Sequence, residues 1–115
     1  MPYVEINTNV ITSIEKKTQI SQQLSCLTAG SLKKSEQYVM VCFKPVEVLL
    51  FGGNNQPAAL LIVKSLGLDK SQINQLSDEL SHIINKLLNV NKDRIYINFE
   101  APPRTHWAYN GKTFA

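Results

Sequence analysis

The sequence predicts a mixed α/β domain of the α+β kind, with two βαβ units of equal length forming one four-stranded mixed sheet and two helices on a single face. Three observations lead there. Apolar, strand-forming runs begin near residues 2, 38, 58 and 94, so that the members of each pair are separated by 36 positions. A helical apolar repeat lies inside each pair. The length of 115 residues, 43% of them hydrophobic, suits one domain, residues 1–115, with a real core and leaves little room for a second.

Residues 3–7 alternate in type and carry β-branched side chains, which predicts a short first strand. Thr12 and Glu15 stand at capping-box spacing, and Ile20, Leu24 and Leu27 recur at helical intervals until Gly30 supplies a stop. The run Tyr-Val-Met-Val-Cys-Phe at 38–43 is too short for an independent helix and rich in strand formers, so it reads as the second strand. After Pro45 and the Phe51-Gly52-Gly53-Asn54 connection the plan repeats, with a strand over 58–63 and a longer helix opening at Asp69. Along that helix Ile73, Leu76, Leu80, Ile83, Ile84 and Leu87 form one stripe, and Gln72, Asp78, Glu79 and Lys86 occupy the other side. Residues 94–99 alternate again and close the second unit.

Right-handed βαβ crossovers put both helices on the same face of the sheet and leave the other face uncovered by this chain. The second and third strands nevertheless read as apolar on both faces, as strands buried on two sides do. Large exposed apolar patches are rare on monomers, so a homo-oligomer is expected. In the tail, His-Trp-Ala-Tyr, Asn110-Gly111 and Lys-Thr-Phe predict a tight hairpin able to pair with a neighbouring subunit's sheet edge.

The net charge of +3 is small and the twelve basic residues are dispersed, Lys16-Lys17 and Lys33-Lys34 being the only pairs. No strand sets exposed aromatics beside basic residues, so a nucleic-acid module is disfavoured. Cys26 and Cys42 form no CxxC and no Cys/His grouping, which argues against a metal or redox centre; both thiols are expected to be buried and reduced. The first residues carry no basic leader followed by an apolar stretch, so no membrane partner and a cytoplasmic location are expected.

Pro2 is the first residue with possible chemistry. Removal of Met1 ahead of a small residue would expose a secondary amine, and α-amino groups titrate at ~7.7–8.0, a value that burial or a nearby cation lowers toward working pH. An incidental Met-Pro start reads the same way. Lys33 or Lys34 could supply that cation and hold a substrate carboxylate, or either could be a solvated loop lysine. In the last strand Ile95, Ile97 and Phe99 share one face, so Tyr96 and Asn98 point to the face a neighbour should cover, as inter-subunit pocket residues or as structural hydrogen-bonding groups. Trp107, Tyr109 and Phe114 fit an aromatic substrate wall and equally the cross-strand packing of the hairpin. His82 and His106 have no carboxylate or cysteine at useful spacing and are read as non-catalytic. Gly52-Gly53 lacks the rest of a phosphate loop and reads as a turn.

Taken together, the Pro2 start, Asn7-Thr8-Asn9-Val10, Phe51-Gly52-Gly53, Ser65-Leu66-Gly67, Asp93-Arg94-Ile95-Tyr96-Ile97-Asn98 and Thr113-Phe114-Ala115 resemble the macrophage migration inhibitory factor family of the tautomerase superfamily, across essentially the whole chain. The resemblance implies a homotrimer with active sites between subunits and keto–enol tautomerisation of phenylpyruvate-like α-keto acids or dopachrome analogues, without a cofactor or metal. It implies that Pro2 shuttles the proton. Lys34, aligned on Tyr38 and with Lys33 as its possible substitute, would hold the carboxylate together with the backbone at Leu66. Tyr96 and Asn98 would come from the adjacent subunit, and Trp107, Tyr109 and Phe114 would line the aromatic end. Departures from the family pattern limit what carries over. The family's CxxC reads Pro57-Ala58-Ala59-Leu60, so thiol-oxidoreductase activity is not implied. Ile11 and Thr12 replace the cytokine's proline and arginine, so receptor binding is not carried over. Trp107 replaces a small residue at the pocket mouth, so substrate preference should differ. The alternative from another class is a cytokine-like signalling ligand, leaderlessly secreted, with a vestigial pocket.

Overall fold

The computed structural model describes residues 1–115, beginning with β1 (Tyr3–Thr8), α1 (Ile14–Leu32) and β2 (Met40–Pro45). The pattern repeats as β3 (Ala59–Lys64), α2 (Lys70–Leu88) and β4 (Ile95–Glu100), followed by a small hairpin of β5 (Ala108–Tyr109) and β6 (Lys112–Thr113). The four long strands lie in the order β2-β1-β3-β4, with β1 parallel to β2, β3 parallel to β4, and the two halves joined by the antiparallel β1–β3 pair. Each half contains a 19-residue helix and a 3₁₀ turn before its second strand, so the expected duplication extends to the connections.

The helix ends follow from local chemistry. Asp69 caps α2 by accepting from the Gln72 N–H at 2.8 Å, and Gln72 Oε1 accepts from the Asp69 N–H at 3.2 Å, a reciprocal capping box. For α1 the cap is Ser13 rather than Thr12, its Oγ accepting from the Lys16 N–H at 3.1 Å. Gly30 does not stop the helix. Leu32 is buried in the core, and packing carries the helix past the glycine to Lys33, which takes the left-handed conformation at φ 55°. A lysine there bears a steric cost that glycine does not. Lys33→Gly is therefore expected to raise stability by about 0.5–1 kcal/mol in denaturant melts. The second strand starts at Met40, later than expected, because Glu36–Tyr38 is taken into the 3₁₀ turn.

Register sorts the sheet into two faces. Val4, Ile6 and Thr8 stand opposite Val63, Leu61 and Ala59, all at most 2% exposed, and face the helices. There they pack with Ile20, Leu24 and Leu32 of α1 and with Leu76, Leu80, Ile84 and Leu88 of α2, as the helical stripes predict. Thr8 is accommodated because its hydroxyl donates to the Ala58 carbonyl at 2.8 Å.

The other face is not covered by this chain, and the two-sided apolar reading of the second and third strands holds there for Met40 and Cys42 of β2 and for Leu60 and Ile62 of β3. The polar groups of this face come from β1, which carries Glu5 and Asn7, and from Lys44 near the end of the edge strand β2. Tyr3 Oη and Asn7 Nδ2 each donate to the Glu5 carboxylate at 2.9 Å, and Lys44 Nζ lies 3.0 Å from it. These bonds, Asn7 first and then Lys44, hold the Glu5 carboxyl at about 2, down from its ordinary 4.5. Since the folded value is the lower one, the stabilisation is present above pH 4.5 and is lost as pH falls toward about 2. Glu5→Gln is expected to flatten the acid limb of the stability–pH curve across that window in acid titration of the folded protein.

Cys26 is exposed on α1 and Cys42 is half-buried on the open sheet face, so the expectation that both are buried fails. Residue 26 falls between the buried positions of the α1 stripe, on the side turned to water. No helix is long and apolar enough to cross a membrane.

Candidate active site

β1–β2 pairing fixes the position of Pro2: the Met40 N–H donates to the Pro2 carbonyl at 3.0 Å, extending the ladder one residue before the strand. The tail folds over this corner. After β4 the chain turns at Arg104–His106 and closes on itself, Arg104 Nε donating to the Phe114 carbonyl at 2.8 Å and the Phe114 N–H donating to the Trp107 carbonyl at 3.1 Å. Asn110 and Gly111 have φ of 52° and 82°, the pair of positive values that a tight hairpin of this kind requires. The hairpin brings Tyr109 edge-on to Tyr38, with ring centroids 5.5 Å apart at 87°.

Between the amino end and the tail lies a cavity of about 880 Å³ lined by 15 residues, nine of them hydrophobic. Pro2, Tyr38, Trp107 and Tyr109 form its apolar walls, and Lys64 and Glu100 are its charged members. Burial, and then the positive charge of Lys34, lower the amino-terminal amine below its ordinary value of 8.0. In the chain as it stands that amine belongs to Met1, and the Pro2 nitrogen is an amide.

The structure brings some of the expected residues together and separates others. Pro2, Trp107 and Tyr109 share the cavity, whereas Lys34 acts on the amino end through its charge and does not line the wall. Leu66 lies just past β3, buried, and no hydrogen bond within the chain uses its N–H. Phe114 is tied to the Arg104 turn and is not part of the wall.

Tyr96 and Asn98 point to the open face, as strand alternation predicts, but lie away from the Pro2 cavity. Tyr96 instead packs against Phe51 at 4.8 Å beside a hollow of about 260 Å³. Arg94 builds that corner. Its guanidinium donates to the carbonyls of Pro57 (2.9 Å), Phe51 (3.0 Å) and Gln56 (3.0 Å), with Cζ 5.2 Å from the Phe51 ring centroid. Arg94→Met is expected to lower stability by about 0.5–1.5 kcal/mol in thermal melts, because several carbonyls lose one shared donor and water replaces it at most of them. Gly52 and Gly53, at φ 62° and 79°, are turn residues as expected.

Lys64 is the functional candidate that motif reading missed. A signal was available: alternation along β3 puts it on the open face with Leu60 and Ile62, and the β1–β3 register sets it opposite Tyr3, next to Pro2. His106 also borders the cavity, bonded through Nδ1 to Thr105 Oγ1 at 2.8 Å and with no carboxylate partner.

The family model described as Macrophage migration inhibitory factor (MIF) matches residues 1–115. The chain belongs to the macrophage migration inhibitory factor family. It is 31% identical over 119 residues to mouse (Mus musculus) macrophage migration inhibitory factor, covering 100% of both chains. To the homolog from Brugia malayi it is 30% identical over 115 residues, covering 99% of each. Among solved structures, the macrophage migration inhibitory factor homologue from Prochlorococcus marinus superposes with a TM-score of 0.90 at 35% identity, covering 98% of this chain and 99% of that one. The MIF fold thus accounts for the sheet order and for both helices. The likeness extends over essentially the whole length of the chains on both sides.

Proposed function

We propose that this member of the MIF family is a keto–enol tautomerase acting on phenylpyruvate-like α-keto acids, with Pro2 as its acid/base after removal of Met1. The observation that carries this reading is a mostly apolar, aromatic-walled cavity lined by Pro2, at an amino end where burial and the Lys34 charge favour the neutral form of the terminal amine, Met1's before processing. A neutral secondary amine at Pro2 takes the proton of the substrate's enol hydroxyl. As the carbonyl forms, the carbon–carbon π pair takes the proton from the ammonium at the carbon next to the new carbonyl, the one that bears the ring. Lys34 and the free Leu66 N–H hold the carboxylate, and Trp107 and Tyr109 contact the ring. No cofactor enters this scheme.

The reading includes a homotrimer. Tyr96 and Asn98 do not reach the Pro2 cavity of their own chain, and Met40, Leu50 and Tyr96 are 66%, 60% and 65% exposed on one subunit. Covering the open face with copies of the chain buries these groups and can bring Tyr96 and Asn98 to a neighbour's cavity. Light scattering is expected to give three times the chain mass of 12.9 kDa.

The deciding experiment is ketonisation of phenylpyruvate enol by protein whose intact mass confirms loss of Met1, run beside a preparation that retains it. Activity confined to the processed protein is the expected result. Absence of activity in both would end the tautomerase reading and make a signalling role the working one.

A further inference from the structure

We propose that Lys64 is a second anion-binding residue of the Pro2 cavity, and that the site favours α-keto acids carrying a second carboxylate, dianionic arylpyruvates among them. The inference rests on the tautomerase reading for its reaction but on separate observations for its ligand.

Lys64 is half-buried and lines the cavity, whose walls are otherwise mostly apolar. Its ammonium has no internal partner. The one ion pair in the chain joins Lys44 to Glu5, and no hydrogen bond involves the Lys64 side chain. Glu100 is its register neighbour on β4, yet its carboxylate lies outside ion-pair distance and the residue is exposed to water. A partly desolvated ammonium without a counter-charge is costly, and an anionic ligand group arriving beside it recovers that cost.

The two cations near the amino end come from different elements. Lys34 follows α1 and acts on the terminal amine, whereas Lys64 ends β3, opposite Tyr3. A substrate whose α-carboxylate is held by Lys34 and Leu66 leaves Lys64 free for a second group. A cavity of about 880 Å³ has room for one beyond a single aromatic ring. Glu100, at the rim, opposes that second charge, so the two residues should affect dianion binding with opposite signs.

The test compares phenylpyruvate with 4-carboxyphenylpyruvate in two measurements on processed protein. Binding of each is followed by fluorescence of Trp107, the only tryptophan in the chain, and ketonisation of each enol gives kcat/KM. Wild-type protein is expected to bind the dianion roughly tenfold more tightly. That ratio should fall to about one in Lys64→Gln, hold in Lys64→Arg and rise in Glu100→Gln, which loss of folding alone would not produce. An unchanged ratio in Lys64→Gln, or equal weakening of both ligands, overturns the proposal. If neither enol is ketonised while the binding ratio behaves as stated, the tautomerase reading fails and the Lys64 site stands.

Discussion

Pro2→Gly, processed to remove Met1, is expected to ketonise phenylpyruvate enol with kcat/KM lower by about 10²–10⁴, the usual contribution of a positioned acid/base. The substitution leaves an amine at the same place in the chain but makes it primary and unlocks the torsion that the pyrrolidine ring fixes. Stability should change little, since the Pro2 contribution to the sheet is a carbonyl that accepts from the Met40 N–H, and glycine retains it. The pH profile separates this role from a positional one. Activity requires the neutral amine and is lost as pH falls through its pKa; burial and then Lys34 lower the Met1 amine of the unprocessed chain, and the Pro2 amine is expected to meet the same surroundings. Lys34→Gln removes the second of these causes, so the acid limb is expected to move to higher pH while KM rises through loss of the carboxylate partner. An acid limb that stays put in Lys34→Gln would show that the titrating base is not the terminal amine.

Most of the fold could be read from apolar spacing, because the two halves repeat and each helix buries one stripe. Asp69 marked a helix start that the backbone then used, with Gln72 completing the cap in the structure. The failures have local causes. Gly30 reads as a stop, but a buried Leu32 outweighs its low helix propensity. Thr12 and Ser13 are both competent caps, and spacing alone does not choose between neighbours. Alternation puts Glu5 on one face with Tyr3 and Asn7, and only register shows that Lys44 of β2 joins them there. The Pro2 corner was legible in part: Pro2, Trp107 and Tyr109 do meet, as the hairpin signal allowed. Tyr96 and Asn98 were placed on the correct face by alternation, yet one chain does not bring them to Pro2. Lys64 escaped motif reading because its meaning lies in the antiparallel β1–β3 register, a long-range pairing without a local sequence signature.

Leu61→Ala and Leu60→Ala, neighbours on β3, are expected to fail in different ways. Leu61 is fully buried between the sheet and both helices, in a core cluster of only 13 residues. Truncating it should cost about 2–5 kcal/mol, the transfer term of the lost methyl and methylene groups plus the cavity they leave. Against a typical domain stability of about 5–15 kcal/mol that is a large fraction. The expected signature is a denaturation midpoint lowered by about the same amount at every protein concentration, with an unchanged slope. Leu60 points to the open face, opposite Asn7 and Tyr96 in register and beside the hollow that Phe51 and Tyr96 border. Truncation there removes surface that a second copy would bury, so its effect should appear as weaker self-association and a loss of melting temperature that shrinks as protein concentration rises. Because the two side chains are alike in size and adjacent on one strand, the contrast isolates the face as the variable. A concentration-independent loss in both variants would mean that the open face is not where copies of this chain meet, and Tyr96 and Asn98 would then have no route to the Pro2 cavity.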